Sequence, residues 1–366
     1  MARLLTGRFA LLTAADLSYF TAAGISIYAL PLYVTGPLGE SKAAAGLTFG
    51  AFAVSALLLR PLAGRLTDRV GRRPLLVGGA LGAALCLALT ALATDLPVII
   101  GLRLLLGVAE AAFFVAGFAA LVDISPPDRL GEALSINSLG LYLGLAAGPP
   151  LGEVLTQRSF PLAWLAAAGL CVVTGVVSAF VGETGTSGGQ EGTALIHRPA
   201  IGPGIALCTA IAASGGFLAF AALRAQETGM GTTSLPLFLY GATVVVARVV
   251  FAKVPDRLPP LKLGASAMAV IATGLFLTPF SLVAGSVVLA LGVTFSTPAF
   301  FAAIFATAGP HERGAASGTA SAFLDIGLGG GPILLGLVAN VSTSAALATA
   351  GAIAVAGCLW TVRLRH

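Results

Sequence analysis

Residues 127–152 read PDRLGEALSINSLGLYLGLAAGPPLG, and residues 310–335 read PHERGAASGTASAFLDIGLGGGPILL. A shift of 183 positions lays Pro127 on Pro310, Gly131 on Gly314, Gly144 on Gly327, and Gly148-Pro149 on Gly331-Pro332. An earlier pair matches too: Arg60 precedes Asp68-Arg69 by eight residues, and Arg248 precedes Asp256-Arg257 by eight, at an offset of 188. Drift in loop length accounts for the difference between the two offsets. The chain therefore reads as two related halves, and an internal repeat identifies an architecture before any single motif does.

Composition says what the halves are made of. Of 366 residues, 57% are apolar and only 10% charged, and the mean hydropathy is +0.98. A soluble domain is roughly 45–50% apolar and about 25% charged, and one of this length could not hide so much apolar surface from water. Lipid must be the solvent for most of the molecule. The 47 glycines with 7% aromatics fit close helix approach in a bilayer, where small residues let backbones pack.

A spanning helix needs about 20 mainly apolar residues. Twelve stretches qualify, at 9–34, 43–63, 74–94, 97–122, 131–156, 160–182, 201–223, 232–253, 262–280, 282–308, 314–340 and 344–362. The run after Arg3 and Arg8 is long enough to span and lacks a clear signal-peptidase site, so it is read as the first helix. One sizeable polar stretch, with ETGTSGGQEGT at its core, lies at the midpoint and has a linker's composition. The expectation is an all-α integral membrane protein of twelve transmembrane helices in two pseudo-symmetric six-helix bundles, 1–182 and 201–366, joined by a cytoplasmic linker at 183–200.

Charge placement suggests orientation. With the N-terminus inside, fourteen Lys and Arg fall on the cytoplasmic side, and only Lys42, Arg158 and Arg224 fall outside. That is the bias of a cytoplasmic membrane protein with both termini inside. The same scatter argues against nucleic acid as a partner. The four cysteines lie in apolar runs and the three histidines are far apart, which excludes a disulfide framework or a metal site. No phosphate-loop motif is present, so no ATPase is built in, and no nucleophile–base pair points to an enzyme. No cofactor or metal is expected.

Three motifs carry a resemblance. The loop after the second span, Gly64-Arg65-Leu66-Thr67-Asp68-Arg69-Val70-Gly71-Arg72-Arg73, resembles the G-x-L-x-D-R-x-G-R-R signature of the Major Facilitator Superfamily. Arg103 and Gly107 in the fourth span resemble its R-x-x-x-G element. Gly140, Gly144, Gly148-Pro149 and Gly152 resemble the glycine–proline antiporter motif. The second half keeps only Pro255-Asp256-Arg257 of the loop signature. The nearest likeness is to bacterial drug and sugar efflux permeases. The resemblance implies two six-helix halves working by alternating access, with a cytoplasmic latch of Gly64, Asp68, Arg69, Gly71, Arg72, Arg73 and Asp123. It also implies a link between the fifth-span motif and antiport.

The residues support roles of their own. Asp68 and Arg72 are four apart and can pair on a helical turn, with Asp123 at the same depth as a second partner. One exposed pair contributes about 0.5 kcal/mol, so only a connected network biases two states. The glycines at 140, 144, 148 and 152 form one helical stripe for tight packing, and Pro149-Pro150 should bend the helix. Ionisable groups inside spans are costly and mark function. Glu110 and Asp325 are therefore the lead proton carriers, with Asp16 as a further candidate and Arg103 as the cation nearby. Arg60 and Arg248 lie near inner ends and are read as structural. Tyr19, Phe20, Asn137, Tyr142, Tyr240 and Ser296 are candidate linings of a substrate cavity at the membrane midplane. The expected function is export of small amphipathic or apolar compounds across an inner membrane in exchange for protons, by a monomer. The alternatives are a proton-coupled nutrient importer and a transport-inactive membrane sensor.

Overall fold

The computed structural model describes residues 6–126, 129–185, 196–252, 254–309 and 312–364, apart from the side chains of Asp256 and Arg313. Pro127, Pro310, Arg3, Arg365, Lys253 and the linker core at 186–195 lie outside the described residues. Those described are helical, with no strand among them. The helices are α1 (Gly7–Thr35), α2 (Lys42–Val70), α3 (Arg72–Thr90), α4 (Leu96–Ile124), α5 (Leu130–Arg158), α6 (Phe160–Val181), α7 (Ile201–Glu227), α8 (Leu235–Val250), the short α9 (Val254–Arg257), α10 (Pro260–Leu277), α11 (Leu282–Phe305), α12 (Arg313–Ala339) and α13 (Thr343–Arg363).

Eleven of these are long and apolar enough to cross a membrane. Each overlaps an expected span to within about four residues at either end, except that α2 runs seven residues past its expected end at 63. The eighth span is the exception in length, since α8 has 16 residues, about 24 Å at helical rise. Lipid is the fitting solvent for the outside, where Leu58, Leu85, Phe180, Leu334 and Leu337 are exposed although such side chains are ordinarily hidden from water.

Local chemistry sets several helix starts. Asp95, Ser159, Ser281 and Ser342 have extended backbone, and their side chains accept from the backbone N–H three residues on. Each satisfies a first-turn donor that has no partner within the helix. The signature segment is not a loop. Gly64–Val70 are the last two turns of α2, and the break comes at Gly71 with φ +104°. That left-handed value suits glycine, which has no Cβ to clash.

The chain packs as two compact units, residues 1–29 with 55–190 and residues 30–54 with 191–366. In the first, α3 packs against α4 and α6; in the second, α10 packs against α11 and α13. The repeat glycines behave alike in each. Gly144 of α5 seats on the α1 backbone at Leu17–Thr21, and Gly327 of α12 seats on the α7 backbone at Cys208–Ala212. Sites 183 positions apart thus make the same crossing, each against the first helix of its own six.

Candidate functional site

The signature segment builds a cluster at the ends of α2, α3, α4 and α6. The α2–α3 break turns Arg72 inward, where it is 4% exposed and its Nε lies 2.9 Å from Asp123 Oδ2 of α4. Its Nη1 reaches Asp68 Oδ1 at 3.5 Å and donates to the Thr67 carbonyl at 3.2 Å. The expected trio of Asp68, Arg72 and Asp123 is therefore one connected network. Arg69 and Arg73 of the same segment have exposed side chains, and Gly64 has open space around it.

Two residues absent from the sequence-based trio complete the cluster. Glu183, just past α6, accepts from the backbone N–H of Arg72 at 2.8 Å and of Arg73 at 3.2 Å. It caps α3, a place where orphan donors and the helix dipole favour an anion. Burial pushes the Glu183 carboxyl up, but backbone N–H groups of Arg72, Arg73, Gly185 and Thr184 outweigh that and hold it below the ordinary value. Thr184 Oγ1 donates to Asp123 Oδ2 at 3.0 Å. A Cβ at Gly71 would lie 2.5 Å from Glu183 Oε2, so a side chain there would displace the carboxylate, and the positive φ of the turn independently favours glycine. The expected linker is thus fastened where it leaves α6. At its other described end, the His197 N–H donates to Thr319 Oγ1 of α12 at 2.9 Å.

Inside the first unit, the ionisable residues sort into two groups. Glu110 of α4 is bridged by Arg60 of α2 at 3.5 Å, with side-chain exposures of 16% and 11%. The Arg60 guanidinium carbon also stands 4.8 Å from the centre of the Phe114 ring, within cation–π range. Arg60, read from the sequence as structural, is thus a cation that bridges Glu110. Arg103, two turns before Glu110 on α4, is buried.

Asp16 of α1 is buried and accepts from Asn137 Nδ2 of α5 at 2.6 Å, while Asn137 Oδ1 accepts from Thr13 Oγ1 at 3.1 Å. Asn137 was a candidate cavity residue; the structure occupies its amide with Asp16 and Thr13. Immediately beyond, the α5 stripe crosses α1. Gly140 faces the Thr13 carbonyl, Gly148 meets Gly24, and Gly152 meets Ile25 and Tyr28. Pro149 is buried in the same helix, which continues through both prolines to Arg158.

The remaining candidates make contacts of their own within each unit. Tyr19 stacks on Phe113 with centroids 4.2 Å apart, and Phe20 sits edge-on to it at 5.6 Å. Tyr142 is half-buried. In the second unit Tyr240 packs beside Phe217 at 5.7 Å, and Ser296 is buried with its hydroxyl on the Val293 carbonyl. Asp325, in the middle of α12, is 2% exposed.

Partners on different helices escape a linear reading. Arg60 and Glu110 are 50 positions apart and Arg72 and Glu183 are 111 apart, so no spacing rule joins them. The one signal for Glu183 was an acidic residue following Gly182 directly after an apolar run. A third group was missed for the same reason. In the second unit Glu227 of α7 pairs with Lys42 of α2, accepts from Thr343 Oγ1 at 2.7 Å, and lies 3.6 Å from Arg224. Beside it the Ala43 N–H donates to Asn340 Oδ1 at 2.8 Å.

Comparison with known proteins gives one consistent result. The family model described as Major Facilitator Superfamily matches residues 12–281. An uncharacterised MFS-type transporter of Salmonella typhimurium strain LT2 is 28% identical, over 89% of this chain and 88% of that protein. An uncharacterised MFS-type transporter of Burkholderia mallei is 26% identical over 94% and 90%. Among solved structures, the nucleoside transporter NupG superposes with a TM-score of 0.78 at 12% identity, over 98% of this chain and 99% of that one. The human organic anion transporter MFSD10 gives 0.73 at 16% identity, over 96% and 98%. Likeness at such low identity speaks to the fold alone.

Proposed function

Since this chain belongs to the Major Facilitator Superfamily, and is a multi-pass membrane transporter of small molecules rather than an enzyme, we propose that it exports small amphipathic or apolar organic compounds in exchange for protons. It works as a monomer in the bacterial inner membrane with both termini in the cytoplasm. The moving bodies are bundles 1–182 and 201–366, joined through 183–200.

The observation that carries the proposal is the Arg60–Glu110 pair. At 3.5 Å and with both side chains partly exposed, the Arg60 guanidinium bridges the carboxylate at a distance long enough for another donor to displace it. A proton or a hydrogen-bond donor of the substrate can take the place of Arg60, and the two exclude one another on the same oxygens. Mutual exclusion at one group is what exchange requires, because each ligand must leave before the other can ride back. Asp16, bonded to Asn137, and Asp325, buried in α12, are the further carboxylates through which protons load, since a polytopic transporter rarely spends buried charge without function. Arg103 tunes the field around them.

Two structural features support the cycle. The Asp68–Arg72–Asp123 network with its Glu183 cap ties the inner ends of α2, α3 and α4, and stabilises one of the alternating states. The α1–α5 glycine crossing leaves no room for water between the helices, which suppresses proton leak.

Everted membrane vesicles with an acidified lumen test the reading, with ethidium and a panel of lipophilic amines as probes. Active substrates should alkalinise the lumen in wild type. Glu110→Gln and Asp325→Asn should abolish that exchange while the protein remains inserted and folded. Full coupled exchange by both variants refutes the assignment of proton carriers, and substrate-induced acidification of the lumen refutes antiport itself.

A further inference from the structure

On α2 the residues Leu58, Leu62, Arg65 and Arg69 follow one another at spacings of four, three and four, which places them on a single line along the helix. The line is exposed throughout. Leu58 is 71% exposed and Leu62 58%, and Arg65 and Arg69 are exposed as well. Leu66 and Val70, beside it, are exposed too. The opposite face carries Ala56, Ala63 and Thr67, all buried. One surface of α2 therefore passes, without change of direction, from leucine to arginine.

Helix length says at what depth the change occurs. The 29 residues of α2 run about 44 Å, against a hydrocarbon thickness of about 30 Å. Roughly nine residues exceed it, and with that excess at the arginine-bearing end the Leu62-to-Arg65 transition falls where acyl chains give way to headgroups. Snorkelling of Arg stems along the apolar face is natural at that depth.

The described neighbouring charges leave these arginines available. Asp68 and Asp123 are taken by Arg72, and the Glu183 carboxylate is taken by the backbone N–H groups at the start of α3. Among the described residues no acidic group is paired with Arg65, Arg69 or Arg73. Arg73 follows on α3 with its side chain exposed. Setting orientation needs basic residues near the membrane, but it does not need them in line with a lipid-facing leucine ridge.

We infer that the Leu58–Leu62–Arg65–Arg69 face of α2 is a binding surface for anionic phospholipid. The leucines lie along an acyl chain, and the guanidinium groups hold the phosphodiester, a planar donor fork matched to phosphate oxygens. A lipid bound here is placed against the helix that carries Asp68, so its presence bears directly on the Asp68–Arg72–Asp123 network. The surface exists whatever the transported compound is. The proposed orientation decides only which leaflet supplies the lipid.

Thermal melting of the full chain in nanodiscs tests this. One set contains only phosphatidylcholine, and in the other a quarter of the lipid is phosphatidylglycerol. Native mass spectrometry on the same samples reads which lipids stay bound. Phosphatidylglycerol should raise the melting temperature of wild type, and bound lipid should be enriched in it by about fivefold for each arginine engaged. Arg65→Gln with Arg69→Gln should melt as wild type in phosphatidylcholine and lose both the increment and the enrichment. Arg65→Lys with Arg69→Lys, which keeps the charge, should retain most of each. An undiminished increment in the glutamine variant, or equal binding of both lipids by wild type, overturns the inference. Should the glutamine variant fail to insert, salt decides. The wild-type increment must fall steeply between low and high ionic strength, and an increment indifferent to salt overturns the inference as well. A rise reproduced by inorganic phosphate in pure phosphatidylcholine nanodiscs would assign the arginines to a soluble anion and likewise overturn it.

Discussion

Gly148→Ala is the sharpest test of how the α1–α5 crossing is held. A Cβ built on Gly148 lies 2.5 Å from the Gly24 Cα, 2.6 Å from the Thr21 carbonyl oxygen and 2.7 Å from the Gly24 carbonyl carbon. All three are backbone atoms, so no side-chain rotation relieves the overlap. Ordinary contact begins at 3.4 Å, and the helices must part by about 0.9 Å for the methyl group to fit. Neither helix can yield alone, because Gly144 already meets the backbone of Leu17, Phe20 and Thr21 one turn away. Overpacking of this kind costs about 1–3 kcal/mol. The appropriate control is Gly101→Ala in α4, where nothing lies within 4 Å of the added methyl. There alanine should be neutral or stabilising by about 0.5–1 kcal/mol, since it removes glycine's backbone freedom. Reversible unfolding in mixed micelles titrated with sodium dodecyl sulfate measures both. The reasoning is refuted if Gly148→Ala unfolds at the same or a higher detergent fraction than wild type while Gly101→Ala behaves as stated.

Three other perturbations follow from the remaining contacts. Asn137→Ala removes the amide that donates to Asp16 at 2.6 Å and should destabilise by about 1–3 kcal/mol in the same unfolding assay; an unchanged midpoint would show that the bond adds nothing. Glu183 is held below its ordinary value of 4.5 in the folded protein, so its contribution is complete above that value and disappears as pH falls through the lowered one. The gap in melting temperature between wild type and Glu183→Gln should therefore be constant from neutral pH to about pH 5 and close under more acid conditions, and a gap that widens on acidification contradicts the capping role. For Lys42 and Glu227, about a third exposed, a double-mutant cycle with Lys42→Ala and Glu227→Ala should return only about 0.2–1 kcal/mol of coupling; a value several times larger would mean the pair is far less screened than its exposure implies.

Much of this protein was legible in one dimension. Hydropathy gave the twelve spans because a bilayer imposes a length on any helix that crosses it. The 183-residue offset carried over into matching packing, with Gly144 and Gly327 seated on the first helix of their own six. The Asp68–Arg72 pair followed from helical spacing. The boundaries erred where chemistry continued a helix past its apolar stretch. The segment from Gly64 to Val70 looked like a loop because it is polar, yet it remains helical until Gly71 turns the backbone. Which side chains the candidates meet was less legible. Arg60 looked peripheral by its place near a span's end, and tertiary packing brought it to Glu110. Asn137 looked like a cavity lining, and its amide is taken up by Asp16 and Thr13.

Sequence by itself determined the solvent, the approximate places of the spans, the pseudo-repeat and the stripe of small residues, because each is a property of consecutive positions read at a helical period. Only tertiary structure decided which charges meet. Pairing between helices depends on their rotation and separation, set by backbone-to-backbone contacts such as Gly148 on Gly24, and no periodicity within one helix records the angle at which another arrives. That is why the cap from Glu183 to the start of α3 and the bridge from Arg60 to Glu110 emerged only with the fold.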